Sequence, residues 1–343
     1  MRRYKRVLVA AALATTVVTG TAGWASGTTQ QAMTGPPPGS PTWLADASLG
    51  RPLPDPVRAA PAEVASFFRG LDERQRHRLA RRHPGVVGNL DGVPVDLRYK
   101  ANALSASRDV RYAHLAGRRL LAFDPRGRGL VAEVFGDLEH SRHVAVVVPG
   151  SDIDAGSYDR PRDPYGTPAG MARQLRSATG GRTAVVAWAG YTTPVGIGLD
   201  AATGGLAEAG ARRLVRLADG FAATGTATPS LFCHSYGSVV CGLAAAEVKA
   251  KDLVVFGSPG MRAANVAELG TAARVWAAKG PTDWISEVPH TSFLGLGHGR
   301  DPVSEGFGSR RVPAEDVRGH SGYLAPGTTS LRVFAAIARG EAA

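Results

Sequence analysis

Cysteine is scarce in this 343-residue chain, which contains only Cys233 and Cys241. Because no cysteine precedes Cys233, we expect no lipid anchor of the lipoprotein type. The nine histidines are scattered, and no group of histidine, cysteine and carboxylate residues has the spacing of metal ligands. We therefore expect neither a metal nor a cofactor.

Lysine is equally rare, since it supplies five of the 40 basic residues. Basic residues do not form runs interleaved with aromatic residues, so nucleic-acid binding is not expected. The formal net charge is +11, and the loss of the four basic residues in positions 1–6 would leave about +7. A mildly basic chain of this kind supports at most a weak association with an anionic cell-wall polymer or membrane surface.

The chain also lacks a long uninterrupted apolar run near its start. Residues 7–22 are mostly apolar, but threonines and a glycine interrupt them, and the stretch is short for a membrane span. Basic residues precede the stretch, and Gly23-Trp24-Ala25 follows it as a small-x-small cleavage site. This layout predicts a secretory signal over residues 1–25, with an uncleaved anchor as the alternative. We expect a secreted protein, either extracellular or associated with the cell wall.

Composition divides the rest of the chain into three parts. Residues 26–60 are rich in proline and polar residues and predict an extended linker. Residues 61–115 form an N-terminal helical extension, because apolar residues from Val64 to Leu79 recur at helical spacing and 96–104 follow as a second helical segment. Residues 116–343 form the larger, principal domain.

Strands and helices alternate within the principal domain. A valine-rich run, 144–148, is apolar on both faces, as are 183–188 and 253–256, and helical segments separate these runs. This alternation predicts an α/β fold with a mostly parallel twisted sheet and helices on both faces. Residues 120–123 and 130–135 predict an antiparallel hairpin at one edge of the sheet.

The sequence from Leu231 to Val240 has the plan of a nucleophile elbow, in which a strand turns sharply into a helix and a serine lies at the tip. Ser235 occupies that tip. Gly237 supplies a small residue two positions later, whereas Cys233 stands two positions earlier, where glycine is usual. Ser235 is the candidate nucleophile.

A serine nucleophile needs an imidazole to accept its proton and a carboxylate to orient that imidazole. His320 is our candidate base, because it lies in a loop just before the last predicted helix, 329–338. His290 and His298 are the alternatives. Asp283, which follows the seventh predicted strand at 273–277, is the candidate acid, with Asp301 and Glu287 as its rivals.

The reaction also needs donors for the oxyanion that forms at the attacked carbonyl. The backbone N–H of Tyr236, directly after the nucleophile, is one candidate. Ser151, which ends the turn after the third predicted strand, is the other. The following loop, 152–165, contains four aspartates and is either a rim that binds a polar or cationic substrate or a solvated loop paired with Arg160 and Arg162.

The two cysteines lie on either side of Ser235. Cys233 ends the predicted strand and Cys241 lies on the following helix. A disulfide needs Cα atoms roughly 4.4–6.8 Å apart, whereas packed layers stand about 10 Å apart. We therefore favour two buried free thiols over a disulfide.

These segments resemble the α/β hydrolases and, more narrowly, a family of serine-hydrolase-like proteins from GC-rich bacteria that was long known as a domain of unknown function. The matching residues are Val148-Pro149-Gly150-Ser151, His234-Ser235-Tyr236-Gly237-Ser238, Gly257-Ser258-Pro259-Gly260, Asp283 and His320-Ser321-Gly322-Tyr323. The resemblance implies the α/β-hydrolase fold and a serine–histidine–aspartate triad, but no substrate.

These observations together predict a secreted serine esterase that acts through an acyl-enzyme on a small-molecule or lipid carboxylic ester. A peptidase or an acyltransferase would use the same residues. A cell-surface binding protein with a vestigial site is the alternative of another class. The sequence does not predict an oligomeric state.

Overall fold

The fold is described from a computed structural model that covers residues 29–292 and 294–342. The predicted signal over residues 1–25 and the single residue Phe293 lie outside the described residues.

The centre of the described part is an eight-stranded sheet with the strand order β1-β2-β4-β3-β5-β6-β7-β8. The hairpin β1–β2 is antiparallel, and β2 is also antiparallel to β4. The remaining neighbours, from β4 through β3 to β8, pair in parallel. The strands are Leu120–Asp124 (β1), Leu130–Phe135 (β2), His143–Val148 (β3), Thr183–Ala189 (β4), Ser230–His234 (β5), Asp252–Phe256 (β6), Arg274–Ala278 (β7) and Arg310–Arg311 (β8).

Ten helices and five short 3-10 turns surround the sheet within the described residues. The helices are Ser40–Leu44 (α1), Pro61–Arg69 (α2), Glu73–Arg82 (α3), Pro84–Val87 (α4), Val95–Ser107 (α5), Pro168–Ala178 (α6), Leu199–Ala202 (α7), Gly205–Thr224 (α8), Gly237–Ala244 (α9) and Thr329–Ala338 (α10). The turns are Ala113–Leu115, Ala267–Leu269, Trp284–Glu287, Glu305–Phe307 and Gly322–Leu324.

The sheet is buried on both faces, as its apolar strands predict. Along β3, Val144, Val146 and Val148 belong to one apolar cluster, and Ala145 and Val147 belong to another. Successive side chains of a strand point to opposite faces, so a strand between two helical layers must be apolar throughout. The predicted α/β architecture is therefore confirmed, with an eighth strand of two residues beyond the seven expected.

The helical extension differs from its prediction in one detail. The apolar pattern from Val64 to Leu79 predicted one helix, but the structure has two, α2 and α3. Asp72 ends the continuity because its side chain accepts a hydrogen bond from the Gln75 N–H, while the Gln75 side chain accepts one from the Asp72 N–H. This reciprocal capping begins a new helix.

The proline-rich segment is not the extended spacer that was predicted. Its Trp43 is fully buried in the apolar cluster of the helical extension, and the indole Nε1 donates to the Pro54 carbonyl at 2.8 Å. One large aromatic side chain buries enough apolar surface to hold a short segment in place, even where prolines dominate the composition. Residues 40–60 are thus part of the folded extension.

In the part of the chain that the structure describes, no helix combines the length and the apolar character that a bilayer crossing requires.

The expectation of two free thiols was wrong, because Cys233 and Cys241 form a disulfide with their Cα atoms 6.5 Å apart. The expectation used the usual distance between packed layers. Here α9 begins three residues after β5 ends, so the cysteines lie where helix and strand are still converging. Both cysteine side chains are buried.

Loss of the disulfide should destabilise the fold. The bond joins residues eight positions apart, and closure of a loop of this size contributes about 2–3 kcal/mol to stability. We expect Cys241→Ser to lower the free energy of unfolding by this amount, as measured by denaturant titration. The mass of the intact wild-type protein, measured without reductant, should be lower by two hydrogens than the mass of the same chain with both cysteines reduced. A wild-type chain that takes up two equivalents of maleimide after unfolding without reductant would contradict the bond.

Candidate active site

Ser235 lies at the carboxyl edge of the sheet, on the turn between β5 and α9. Its backbone φ is 53°, in the left-handed region that residues other than glycine seldom adopt. The turn is fixed by two hydrogen bonds, from the Ser235 N–H to the Phe256 carbonyl at 3.0 Å and from the Ser238 N–H to the Ser235 carbonyl at 2.9 Å. A strained backbone at a serine between strand and helix is the geometry of a nucleophile elbow.

Gly237 explains why a small residue follows the serine by two positions. A Cβ atom at this position would lie 2.5 Å from the Val148 carbonyl oxygen and 2.7 Å from that of Pro149. Only glycine allows the helix to begin so close to the neighbouring strand.

Asp283 and His320 are 37 residues apart in sequence but form a hydrogen bond. His320 Nδ1 lies 2.8 Å from Asp283 Oδ1, and both side chains are largely buried. Burial raises the pKa of Asp283, but hydrogen bonds from His320, Tyr323 and the Ile285 N–H outweigh it and hold that pKa below its usual value. A carboxylate held ionised beside one ring nitrogen fixes the tautomer that leaves the other nitrogen as an acceptor.

The pair lies at the same edge of the sheet as Ser235. The Phe256 carbonyl accepts the Ser235 N–H, and Gly257 is the next residue. A Cβ atom on Gly257 would lie 3.0 Å from His320 Cε1 and 3.1 Å from Asp283 Oδ2, so the backbone that contacts Ser235 also contacts the pair. Within the described residues, the His320 ring makes its one hydrogen bond through Nδ1 and leaves Nε2 unbonded.

The sequence predicted no role for Tyr323, although this residue ends the His320-Ser321-Gly322-Tyr323 segment. Its hydroxyl donates to Asp283 Oδ2 at 2.5 Å and accepts from the Gly280 N–H at 2.9 Å. The side chain is fully buried. Tyr323 therefore holds the second carboxylate oxygen of Asp283. Its position three residues after His320 was the one sequence feature that connected it with the site.

His234 contacts His320 rather than residues near it in sequence. Its Nε2–H donates to the His320 backbone carbonyl at 2.8 Å, and the two ring centroids are 4.7 Å apart. Burial, together with the neighbouring His320 ring, lowers the pKa of His234 to about 3. His234 is thus a neutral buried donor that positions the histidine loop.

The rival residues have other partners. His298 Nε2 donates to the Ala201 carbonyl at 2.6 Å, and His290 lies 3.5 Å from Asp301. Asp301 in turn pairs with Lys279. Glu287 ends a 3-10 turn and is exposed. None of these side chains bonds to Asp283 in the described part of the chain.

The backbone beside Ser235 offers free donors. A Cβ on Gly150 would lie 2.5 Å from Ser235 Cβ, 2.9 Å from Oγ and 3.2 Å from the Tyr236 nitrogen, so the loop after β3 closely approaches the serine. Neither Tyr236 N–H nor Ser151 N–H donates to an acceptor among the described residues. Both therefore remain available to an oxyanion.

A family model described as "Alpha/beta hydrolase" matches residues 124–293 of the chain. This match, with the strand order and the position of Ser235 after β5, decides the architecture. The chain has the α/β-hydrolase fold. The resemblance named from the sequence is confirmed at the level of the α/β-hydrolase fold.

Curated relatives of the chain include mycobacterial proteins. The "Uncharacterized protein Rv2079" of Mycobacterium tuberculosis (strain ATCC 25618 / H37Rv) is 28% identical over 376 residues, which cover 84% of this chain and 57% of the relative. The "Uncharacterized protein Mb0988c" of Mycobacterium bovis is 32% identical over 180 residues, which cover 49% of this chain and 66% of the relative. The chain thus spans less than two thirds of the length of these relatives.

Solved structures similar to the chain include a serine hydrolase without lid from Xanthomonas campestris. It is 19% identical, with a TM-score of 0.38, and the likeness covers 61% of this chain and 88% of that chain. A dienelactone hydrolase from Anabaena variabilis is 16% identical, with a TM-score of 0.38, and the likeness covers 62% and 90% of the two chains. At these TM-scores neither protein bears on substrate or mechanism.

Large apolar side chains are exposed beside His320 and on segments that contact Tyr236. Trp284 is 43% exposed, and its ring lies 4.6 Å from the His320 ring. Two further loops contribute exposed apolar residues, and hydrogen bonds from Gly297 and His298 to the 201–202 backbone join these loops. We call this set the apolar rim: Ile197, Leu199, Trp284, Leu294 and Leu296.

Three of the four aspartates after β3 are paired with arginines rather than free for a ligand, and Asp152 accepts the Gly196 N–H. Asp159 bonds both Arg118 and Arg173, and Asp154 bonds Arg128. The solvated-loop interpretation is therefore favoured, although most of the arginine partners differ from those expected. No three histidine, cysteine or acidic side chains of residues 29–292 and 294–342 are grouped to hold a metal ion.

The buried histidines should make the folded protein sensitive to acid. Burial lowers the pKa of His234 to about 3 and that of His298 to about 4. Below about pH 6.5 the unfolded chain binds protons at these residues while the folded protein does not, so stability present above that pH is lost as the pH falls towards 3–4. Between about pH 7.5 and about pH 5, each histidine should account for about 2 kcal/mol of lost stability.

Denaturant titrations should therefore show that His234→Gln loses less free energy of unfolding between these two pH values than the wild type does. His114→Gln, at an exposed position, is the matched control and should lose as much as the wild type. Equal losses in all three proteins would rule out a neutral buried His234.

Proposed function

We propose that the protein is a secreted serine hydrolase that cleaves a carboxylic ester through an acyl-enzyme. Ser235 is the nucleophile, His320 the general base and Asp283 the residue that orients it. The observation that carries the proposal is the hydrogen-bonded Asp283–His320 pair, 2.8 Å apart, at the sheet edge where the strained Ser235 turn lies.

In this mechanism His320 Nε2 accepts the Ser235 hydroxyl proton as Oγ attacks the ester carbonyl. Asp283 stabilises the imidazolium that forms, and the Tyr323 hydroxyl and the Ile285 N–H hold the carboxylate in place. The imidazolium then donates its proton to the leaving alcohol, and the acyl group remains on Oγ. A water molecule, deprotonated by the same imidazole, releases the acid and restores Ser235.

The negative charge of each tetrahedral intermediate would fall between the Tyr236 and Ser151 N–H groups. Both groups are free of acceptors within the described residues, and Gly150 brings their segments together. Donors fixed in advance cost no reorganisation when the charge forms, and each contributes about 3 kcal/mol to the lowering of the barrier.

The apolar rim favours an ester with an apolar acyl or alcohol group. Tyr236 connects the rim to the nucleophile, because its hydroxyl donates to the Thr203 carbonyl at 2.9 Å and its ring contacts His298. A small-molecule or lipid ester is therefore the proposed substrate class. A peptidase and an acyltransferase would share the triad and differ only in leaving group or acceptor.

Export of the protein is supported by two observations. The sequence of residues 1–25 has the layout of a secretory signal. The Cys233–Cys241 disulfide fits an oxidising compartment, since disulfides are rare in the cytosol. We propose an extracellular or cell-wall-associated location, with the basic charge giving at most weak attraction to the anionic wall or membrane surface.

Ser235→Ala tests the nucleophile. The wild type should react with a fluorophosphonate probe and hydrolyse a short-chain aryl ester, whereas Ser235→Ala should lose the label and at least about 1000-fold in kcat. Peptide amides offered in parallel distinguish a peptidase, which would cleave them, from an esterase, which would leave them intact. Ser238→Ala, in the same segment, is the matched control and should retain the label.

A vestigial site would give a different result. If the wild type takes no label and hydrolyses no ester, the proposed enzyme is wrong and the binding-protein alternative stands. If Ser235→Ala hydrolyses the ester as fast as the wild type, the serine is misassigned.

Gly150→Ala tests the oxyanion loop. The added Cβ would lie 2.9 Å from Ser235 Oγ and 3.2 Å from the Tyr236 nitrogen, so it would displace the loop or the attacking group. We expect kcat/KM for the aryl ester to fall by about 100-fold or more, corresponding to about 3 kcal/mol. Gly117→Ala is the matched control, because no atom lies within 4 Å of its added Cβ. Unchanged activity in Gly150→Ala would place the oxyanion elsewhere.

A further inference from the structure

A cavity lies at the carboxyl edge of the sheet, beside the hairpin strands β1 and β2. Its volume is about 340 Å³, and it is lined by the ends of β1 and β4, the start of β2, helix α8 and residues 33–37 of the N-terminal segment. The N-terminal segment is held over it by hydrogen bonds from the Met33 N–H to Thr192 Oγ1 and from Arg126 to the Pro36 carbonyl.

The walls of this cavity are strongly cationic. They contain five arginines and two aspartates: Arg98, Arg126, Arg212, Arg213, Arg216, Asp91 and Asp124. Both aspartates are already neutralised, because Arg98 bonds Asp91 at 3.0 Å and Arg126 bonds Asp124 at 2.6 Å. Three positive charges remain.

The remaining charges are the three arginines of α8. Arg213 Nε donates to the Gly190 carbonyl at 2.6 Å, and Arg216 donates to the Ala59 carbonyl at 3.2 Å. These acceptors are neutral. No carboxylate of the described residues forms an ion pair with Arg212, Arg213 or Arg216.

Arg212 is exposed to solvent, whereas Arg213 and Arg216 are half-buried, so the unpaired charge is least favourable at the latter two. Burial lowers the pKa of the Arg213 guanidinium, a sign that the charge is poorly solvated. Arg212 and Arg216 are also four residues apart on one helix, where like charges repel. Asp91 and Asp124 attract Arg213 but are paired with other arginines, so a bound anion would supply the direct counter-charge that this poorly solvated cation lacks.

The other walls favour an anion that carries an organic group. Trp188, Leu90 and Leu130 line the cavity beside the arginines. The cavity is separate from Ser235, because Trp188 stacks on Tyr191 at 5.9 Å and the Tyr191 hydroxyl donates to the Pro149 carbonyl, before the oxyanion loop. A ligand here would lie behind that aromatic pair.

We propose that this cavity binds the phosphoryl group of a small phosphate monoester, with Arg212, Arg213 and Arg216 as its cationic partners and Trp188 beside its organic group. Guanidinium groups match the geometry of phosphate oxygens and remain charged where an ammonium would not. A dianionic phosphate also balances three unpaired arginines better than a single carboxylate does.

Calorimetric titration of the wild-type protein with phenyl phosphate and with inorganic phosphate, at constant ionic strength, tests the proposal. We expect both to bind, with phenyl phosphate several-fold tighter because its ring contacts Trp188. Arg213→Gln should weaken phenyl phosphate binding at least tenfold, and Arg216→Gln provides a second variant should the first not fold. Arg81→Gln, exposed on α3, and Ser235→Ala should bind as the wild type does.

The outcomes separate the sources of the anion. Equal affinity for the two compounds would overturn the organic part of the proposal and leave a site for free phosphate. No binding to the wild type, or equal weakening in Arg81→Gln, would overturn the site itself. Loss of binding in Ser235→Ala would place the phosphate in the oxyanion loop and would also overturn it.

Discussion

The candidate active site depends on the hydrogen bond between Asp283 and His320. These residues come from two different loops, and the bond fixes both at the carboxyl edge of the sheet. Tyr323 and Ile285 satisfy the remaining capacity of the buried carboxylate, and His234 holds the His320 backbone from the other side. A buried ionised group is tolerable only when it is bonded in this way, so the supporting residues are as necessary as the pair itself.

Close approach of backbones is the second constraint on the site. Gly150 lies against Ser235, Gly257 against His320 and Asp283, and Gly237 against the end of β3. At each position a Cβ atom would meet an atom at 3.1 Å or less. The same edge of the sheet then offers two different environments. The region around Ser235 is bordered by exposed apolar side chains, whereas the cavity behind Trp188 is bordered by arginines.

Much of the fold and of the candidate site could be predicted from local patterns. The strand at Val144–Val148 follows from a run that is apolar on both faces, and α10 begins and ends where its apolar spacing predicts. The break between α2 and α3 was missed, because apolar spacing continues across a capping box that depends on side-chain hydrogen bonds. The buried Trp43 was missed because composition averages over a segment in which one residue decides the packing.

The sequence by itself determined the alternation of strands and helices, the serine turn and the residue types available for the chemistry, since each of these depends on neighbours within a few positions. The tertiary structure alone decided which histidine meets which aspartate, that Tyr323 completes the pair and that Cys233 and Cys241 approach within bonding distance. It also decided that three arginines of one helix line a cavity whose two aspartates pair with other arginines. The physical reason is that these contacts depend on distances between segments far apart in the chain, which only the packed sheet and its loops establish.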